Sequence, residues 1–155
     1  MTLPHINPHA AREILDLLHR ADTVLATVAH PDDLTDVDID VLTTVLVKPA
    51  LRDAMADVAQ DGRRTALWVA VAYQADDPAV AADALTLAAL AVPTPGRQVD
   101  LLAEAQGWAP GHELSALLLE LAIAGKDLAG PVVCGALAAR TDLEGLAGAV
   151  TPGRR

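Results

Sequence analysis

The sequence predicts a single all-α domain of about seven to nine short helices, packed as antiparallel, tetratricopeptide-like hairpins. Most of the apolar fraction of 52% is Ala, Leu and Val, and Ala and Leu are strong helix formers. Apolar residues recur at i, i+3, i+4 and i+7 spacing between closely spaced Pro and Gly residues. A chain of 155 residues also has the usual size of one domain with its own core.

The charge distribution divides this expected domain into two parts. The formal net charge is −10, and residues 1–61 hold 11 acidic and 4 basic residues, whereas the rest of the chain holds 10 and 7. We therefore expect one helical domain at 1–150, with an acidic N-terminal part at 1–61 and a hairpin part at 62–150. Residues 151–155 are expected to form a frayed tail.

The first helix is predicted to begin at Pro8 with Asn7 as its N-cap, since proline is favoured at the first helical position. Its predicted buried positions are Ile14, Leu17, Leu18 and Ala21. His30 and Pro31 are expected to end it, because the residue before a proline is biased away from helical backbone angles. The acidic stretch 32–40 then reads as a loop.

A second helix is predicted near 39–47 and a third at 49–60, where apolar side chains fall on one side. Gly62 is expected to end the third, since glycine is common just after a helix. The fourth and fifth helices, 63–75 and 78–92, should form a hairpin and the centre of stability, with Asp77 as the N-cap of the fifth. The buried leucines expected in this hairpin are Leu67, Leu85, Leu87 and Leu90.

The remaining elements follow Pro-Gly turns. A turn at 93–96 precedes a sixth helix that runs through Gln106, and Pro110-Gly111 precedes a seventh at 112–124. Two further helices are predicted at 131–139 and 143–149. Trp68 and Tyr73 are expected to pack in the core. Trp108 lies at a helix end before Pro110, a position that is often half exposed, so both a core or capping role and a contact with a partner are considered for it.

The run from Leu85 reads LTLAALAV and continues as PGRQVDLLAEAQGWAPGHELSALLLELAIAG up to Gly125. It resembles the C-terminal helical half of a large actinobacterial protein family of unknown function with tetratricopeptide-like hairpins. Together with the preceding segment, the resemblance covers residues 48–129. It implies a helical fold and an actinobacterial source, and it implies no catalytic residue.

A second stretch, AHPDD, resembles the signature of zinc-dependent N-acetylglucosaminyl deacetylases. That resemblance implies His30 and Asp33 as zinc ligands and Asp32 as the base that takes a proton from the metal-bound water. Leu34 stands where that family carries a further acid, and the only later histidine, His112, lies at a predicted helix start. A deacetylase-like hydrolase is therefore kept as the alternative function.

Other candidate sites are weaker. Asp36, Asp38 and Asp40 alternate as in a calcium loop, but Val41 occupies the position that requires glycine. The single cysteine, Cys134, excludes an intramolecular disulfide, and its apolar neighbours indicate a core residue. The single serine, Ser115, follows His112 by three residues, but nothing near it resembles a nucleophile turn.

These observations favour a non-enzymatic protein-interaction module, an adaptor or inhibitor that acts through a helical-hairpin surface. The proposed contact residue is Trp108, since interface energy concentrates in a few large side chains. The partner is expected to be another protein or a second copy of this chain, with no cofactor, metal or membrane. Direct nucleic-acid binding is not expected from so acidic a chain, although an acidic DNA mimic is a weaker alternative. The expected location is the cytoplasm.

Overall fold

The structure is a computed structural model that describes residues 8–47, Arg52, Ala54, Met55, 61–92, 94–126 and Leu128. Every regular element in these residues is helical, which confirms the all-α prediction for this part. Within the described residues, the α-helices with defined bounds are α1 (Pro8–Thr27), α2 (Asp36–Val45), α3 (Gly62–Gln74), α4 (Pro78–Ala91), α5 (Pro95–Trp108) and α6 (Glu113–Ile123). Arg52 and Ala54 are also helical. A short 3-10 helix, Pro31–Asp33, lies between α1 and α2.

Helix α4 is the centre of the described part. It packs against α3 and α5 and also contacts α6, and 12 of its 14 residues are buried. A helix that is apolar on all sides can be stable only inside the protein, because its faces must all be removed from water. Leu67 of α3 and Leu85, Leu87 and Leu90 of α4 are buried as predicted, and so is Trp68.

Two polar side chains of the neighbouring helices satisfy the C-terminal end of α4. The Thr65 hydroxyl donates to the carbonyl of Ala88 at 3.2 Å, and the Gln98 amide donates to the carbonyl of Ala89 at 3.1 Å. Carbonyls in the last turn of a helix have no partner within that helix and need one elsewhere when they are buried. These two bonds therefore hold α3 and α5 in position against the end of α4.

The N-terminal helices are joined to this centre through α3. Helix α1 packs on α2, and α2 contacts α3. The Arg63 guanidinium, in the first turn of α3, donates to the carbonyl of Val28 at 2.7 Å and pairs with Asp61 at 3.3 Å. A cation near the C-terminal end of α1 also complements the partial negative charge of that end.

The acidic stretch that was predicted to be a loop is partly helical. Helix α2 begins at Asp36, three residues before the predicted start, because Thr35 forms a capping box with Asp38. The Thr35 hydroxyl accepts from the Asp38 backbone at 3.1 Å, and the Asp38 carboxylate accepts from the Thr35 backbone at 3.0 Å. Acidic side chains in this first turn also stabilise the helix N-terminus.

The prediction that Gly62 ends a helix was wrong, because Gly62 is the first residue of α3. Asp61 precedes it as the N-cap, and its carboxylate accepts from the backbone of Arg63 at 3.0 Å and of Arg64 at 3.3 Å. An aspartate at this position satisfies two backbone donors at once, which favours a helix start over a helix stop.

Two predicted side-chain positions and one predicted helix end differ from the structure. The buried stripe of α1 contains Leu18 and Ala21 as predicted, but Ile14 and Leu17 lie at its margin and are only partly buried. Helix α5 continues two residues past Gln106, to Trp108. Tyr73 was expected in the core but is exposed at the end of α3, where its hydroxyl reaches Glu104 of α5.

Several predicted features lie outside the described residues. They are Asn7, Cys134, the helices at 131–139 and 143–149, the tail at 151–155, and all of the helix at 49–60 except Arg52, Ala54 and Met55. In the part of the chain that the structure does describe, no helix is both long enough and apolar enough to cross a membrane.

Candidate functional site

The candidate site is the corner between α5 and α6, where the chain turns through Ala109, Pro110 and Gly111. The backbone of Ala109 donates to Ala105 at 3.0 Å to end α5, and the backbone of His112 donates to Ala109 at 2.9 Å to close the turn. His112 is then the N-cap of α6, and its Nδ1 atom accepts from the Ser115 backbone at 3.2 Å. The imidazole ring therefore takes the role that a serine or aspartate side chain commonly has at a helix start.

The other ring nitrogen of His112 reaches the centre of the fold. Its Nε2 atom lies 2.5 Å from Oδ1 of Asp83, which is buried in the middle of α4. The same carboxylate oxygen accepts from Nη1 of Arg52 at 3.2 Å. A buried carboxylate is tolerated when it is paired and hydrogen-bonded, and here Arg52 and His112 provide both.

These contacts define the tautomer of His112. Because Nδ1 accepts the backbone N–H of Ser115, it cannot also carry a proton that points along that bond. The proton of the neutral ring then lies on Nε2, where it is donated to Asp83. The ring therefore links the start of α6 to the middle of α4 with one acceptor and one donor.

Gln106 of α5 and Ser115 of α6 complete the network. The Gln106 amide donates to the His112 carbonyl at 2.8 Å and to the Ser115 hydroxyl at 2.6 Å. The Ser115 hydroxyl also lies 2.8 Å from Nδ1 of His112. Across the described residues, every buried side-chain nitrogen or oxygen has a hydrogen-bond partner. The network is thus a satisfied set of bonds that fixes the corner.

Asp83, His112 and Ser115 are the residue types of a serine hydrolase triad, but their arrangement is that of a helix cap. The Ser115 hydroxyl is fully buried, so a substrate cannot reach it, and it already accepts a hydrogen bond from Gln106. A catalytic serine needs an open approach on the side where its oxygen attacks. The geometry therefore assigns these residues a structural role.

A cleft opens beside this network. Its volume is about 640 Å³, and its walls come from the start of α4, the corner and the first turns of α6. The residues that line it are Arg52, Ala79, Ala109, Pro110, Gly111, His112, Glu113, Leu114 and Leu117. Most of these side chains are apolar, and Leu117 is 55% exposed. The cleft can accept an apolar group of a ligand or partner.

Trp108 directly precedes Ala109, the first residue of the corner, in the sequence. Ala109 lines the cleft. Trp108 is the last residue of α5, and 42% of its surface is exposed, so the ring does not pack fully in the core. Its indole ring offers a large apolar surface at the C-terminal end of α5. Trp108 and Leu117 are thus the exposed large apolar side chains closest in sequence to the corner.

The residues of the AHPDD stretch lie elsewhere, at the 3-10 helix. His30 is its N-cap, and its Nδ1 atom accepts from the Asp32 backbone at 3.1 Å. His30, Asp32 and Asp33 are all exposed. Among the described residues, no group of three or more His, Cys, Asp or Glu could hold a metal ion. The contacts seen here give His30 a capping role.

Asp83, Arg52 and Gln106 were not predicted from the sequence to be members of the site. One signal for Asp83 was present, since it is the only charged residue in the apolar window 79–92. A charge in a helix that is otherwise apolar on all sides must find a partner after folding. The identity of that partner depends on the packing of α6, which local sequence patterns do not give.

Tyr73 forms a separate polar contact on the surface. Its hydroxyl donates to the Glu104 carboxylate at 2.6 Å, between α3 and α5. This hydrogen bond, together with the negative charge of Glu104, raises the pKa of the Tyr73 phenol, and Arg97 opposes the shift. The contact therefore links two helices of the centre on their exposed side.

Comparisons with protein-family models, with curated proteins and with solved structures found no match to this chain. The resemblances of residues 48–129 and of the AHPDD stretch to known families therefore stay predictions.

Proposed function

We propose that this protein is a non-enzymatic interaction module, an adaptor or inhibitor, that binds a partner protein at the α5–α6 corner. An apolar side chain of the partner occupies the cleft next to Leu117, and Trp108 contacts the partner beside it. The observation that carries the proposal is the combination of a cleft of about 640 Å³ with two exposed large apolar side chains at one corner. Tryptophan is enriched among the residues that dominate interface energies.

The network behind the cleft supports this role. Asp83, His112, Ser115 and Gln106 are connected by hydrogen bonds. Because His112 also lines the cleft, this part of the wall is held in place before a partner arrives. A preformed site loses less conformational entropy on binding than a flexible one. The same buried contacts leave no accessible nucleophile at the corner, which favours binding over hydrolysis as the activity.

A tetratricopeptide-like arrangement of the second half is part of the proposal. The α5–α6 hairpin begins at Pro95, 33 residues after Gly62, the start of the α3–α4 hairpin. This spacing is close to the 34 residues of a tetratricopeptide repeat. Stacked hairpins of this kind present extended surfaces to protein segments.

The proposed partner is a different protein rather than a second copy of this chain. Two copies with a formal charge of −10 each repel one another at long range. A partner with less negative charge avoids that repulsion and still offers an apolar side chain. Self-association is therefore an outcome that the experiment must be able to detect.

Site-specific photo-crosslinking in the native host cells tests the proposal. A benzophenone amino acid is placed at Leu117, which lines the cleft, and in a matched control at Ile123, which is 69% exposed on the same helix and does not line it. We expect one discrete covalent product with a different protein from position 117 only. Equal products from both positions, or no product, would contradict the proposal. A product with twice the mass of the chain would instead identify the partner as a second copy.

A further inference from the structure

A second groove, distant in sequence from the corner, lies between α2 and the connection of α3 to α4. Its volume is about 360 Å³. The residues that line it are Asp36, Ile39, Asp40, Thr43, Thr44, Val47, Gln74, Ala75, Asp76, Asp77 and Val80. It therefore combines aliphatic side chains with carboxylates from two separate parts of the chain.

The charge of this groove has a single sign. Asp36 and Asp40 come from α2, and Asp76 and Asp77 come from the α3–α4 connection, while the described lining includes no Lys, Arg or His. All four aspartates are exposed. Carboxylates that share one small groove lie within a Debye length of one another, so they repel each other and attract cations.

Two of these aspartates have a structural task, and two do not. Asp77 is the N-cap of α4 and accepts from the Ala79 backbone at 2.9 Å, and Asp36 lies in the first turn of α2, where a negative charge stabilises the helix. Asp40 lies beyond the first turn of α2, and Asp76 precedes the N-cap of α4, so neither carboxylate caps a helix. Asp40 and Asp76 are therefore the residues that can be changed without loss of a cap.

The groove also has an exposed aliphatic wall. Val47 is 67% exposed just after the end of α2, and it lies beside the partly buried Ile39 and the buried Val80. Aliphatic side chains do not bind metal ions, and among the described residues no group of three or more His, Cys, Asp or Glu is arranged so that it could hold a metal ion. The lining therefore fits an organic cation with an apolar part better than a bare metal ion.

We propose that this groove binds a basic segment of a partner protein, in which Arg or Lys side chains flank one aliphatic side chain. The basic side chains pair with Asp40 and Asp76, and the aliphatic side chain contacts Val47 and Ile39. Guanidinium groups bind carboxylates through two parallel hydrogen bonds, which favours arginine at these positions. This surface is separate from the α5–α6 corner, so the inference does not depend on the function proposed for that corner.

Fluorescence anisotropy with a labelled peptide, GKRLRKG, tests the charge complementarity. We expect saturable binding to the full chain that weakens as salt is added. The double variant Asp40→Asn/Asp76→Asn should bind about tenfold more weakly, since two ion pairs are lost. The control Asp16→Asn/Asp100→Asn replaces two exposed aspartates, one in α1 and one in α5, and changes the net charge by the same amount as the test variant. Its affinity for the peptide should lie within about twofold of that of the parent.

A second pair of variants tests the aliphatic contact. Val47→Ser should weaken GKRLRKG binding about threefold or more, whereas Val37→Ser, at a valine of α2 that is 64% exposed outside the groove, should leave it unchanged. A peptide with serine in place of leucine, GKRSRKG, should bind more weakly and should not respond to Val47→Ser. Leu117→Ser should bind both peptides as the parent does, which separates this test from that of the corner.

Three results would overturn the proposal. One is the absence of saturable peptide binding, and another is equal weakening by the two aspartate double variants, which would mean that only the total charge matters. The third is that spermidine displaces the peptide and binds as tightly as the peptide does, while GKRLRKG and GKRSRKG bind equally well. That outcome would identify the groove as a general polyamine site with no recognition of a protein segment.

Discussion

The Nε2 atom of His112 and the Oδ1 atom of Asp83 join the N-cap of α6 to the middle of α4, 29 residues earlier in the chain. The two side chains are largely buried, with 8% and 10% of their surfaces exposed. Asp83 is the partner of the Nε2 atom of His112, and His112 shares the Asp83 carboxylate with Arg52, so this contact helps to position α6 on the central helix.

The first prediction concerns this pair. His112→Ala removes the cap of α6 and one partner of Asp83, and Asp83→Ala removes the carboxylate that accepts from Arg52 and His112. Each variant should lower the free energy of unfolding by roughly 2–4 kcal/mol in urea denaturation followed by circular dichroism. The double variant should lose less than the sum of the two, by about 1–3 kcal/mol. Additive losses would mean that the two residues do not interact.

A surface substitution on the same helix provides the control. Glu120 lies on α6 and is exposed, with no part in the network. Glu120→Ala should change the free energy of unfolding by no more than about 0.5 kcal/mol. A larger change would mean that α6 responds to any substitution, and the losses in the pair would then say little about Asp83 and His112.

The second prediction concerns the α3–α4 hairpin as the centre of stability. Leu67 and Leu87 are buried, so truncation of either leaves a cavity in a part of the core that is packed on several sides. Leu67→Ala and Leu87→Ala should each lower the free energy of unfolding by about 2–5 kcal/mol in thermal or urea unfolding. Leu117→Ala, at an exposed leucine, should cost much less. Parent-like stability of both core variants would contradict the packing described here.

The third prediction uses the single tyrosine of the chain. Absorbance near 295 nm reports phenolate formation at Tyr73 alone, and its midpoint should lie above the ordinary value of 10.0, because Glu104 raises the pKa. Glu104→Gln should move the midpoint toward that value, since the amide keeps a hydrogen-bond acceptor and removes the charge. A midpoint that stays the same in this variant would mean that Glu104 does not cause the shift.

The raised pKa of Tyr73 also makes the stability of the fold depend on pH. The pKa of Tyr73 is higher in the folded state than in the unfolded chain. The Glu104 contact therefore makes its full contribution to the free energy of unfolding at pH values below the pKa of the unfolded chain. Its contribution is lost as the pH rises through the folded pKa, because the unfolded chain then releases its proton more readily. Tyr73→Phe should remove this part of the pH dependence and leave the rest of the stability profile in place.

The fourth prediction concerns the AHPDD stretch. His30 is exposed and caps a three-residue 3-10 helix, so His30→Ala should leave the fold intact and cost no more than about 1 kcal/mol. Elemental analysis of the purified protein should find no stoichiometric zinc. About one zinc per chain, lost in both His30→Ala and Asp33→Ala, would contradict this prediction and favour the deacetylase-like alternative.

The sequence predicted local features well and long-range pairs poorly. Asp77 and Pro78 mark the start of α4 because a helix N-cap depends on neighbouring residues only, and the buried leucines follow from helical periodicity. Tyr73 was misplaced because it lies beside buried positions of α3 but faces Glu104 of another helix. The contact of Asp83 with His112 could not be predicted for the same reason, since it requires the packing of two helices that are not consecutive.

The last prediction concerns Trp108 at the proposed interface. Its ring is 42% exposed at the end of α5, whereas the other tryptophan, Trp68, is almost fully buried in the core. Trp108→Ala should weaken binding to the crosslinked partner by roughly 2 kcal/mol or more, about thirtyfold in Kd, with unchanged helical content by circular dichroism. Acrylamide should quench the fluorescence of Trp108 in the free protein, and the partner should protect it.

Two matched variants make this prediction specific. Trp68→Ala should destabilise the fold by about 3–5 kcal/mol, since it empties a core position, and this distinguishes loss of folding from loss of contact. Ile123→Ala removes an exposed apolar side chain outside the cleft and should bind the partner as the parent does. Parent-like affinity of Trp108→Ala, with no protection of its fluorescence, would remove Trp108 from the interface. The contact with the partner would then be confined to the cleft beside Leu117.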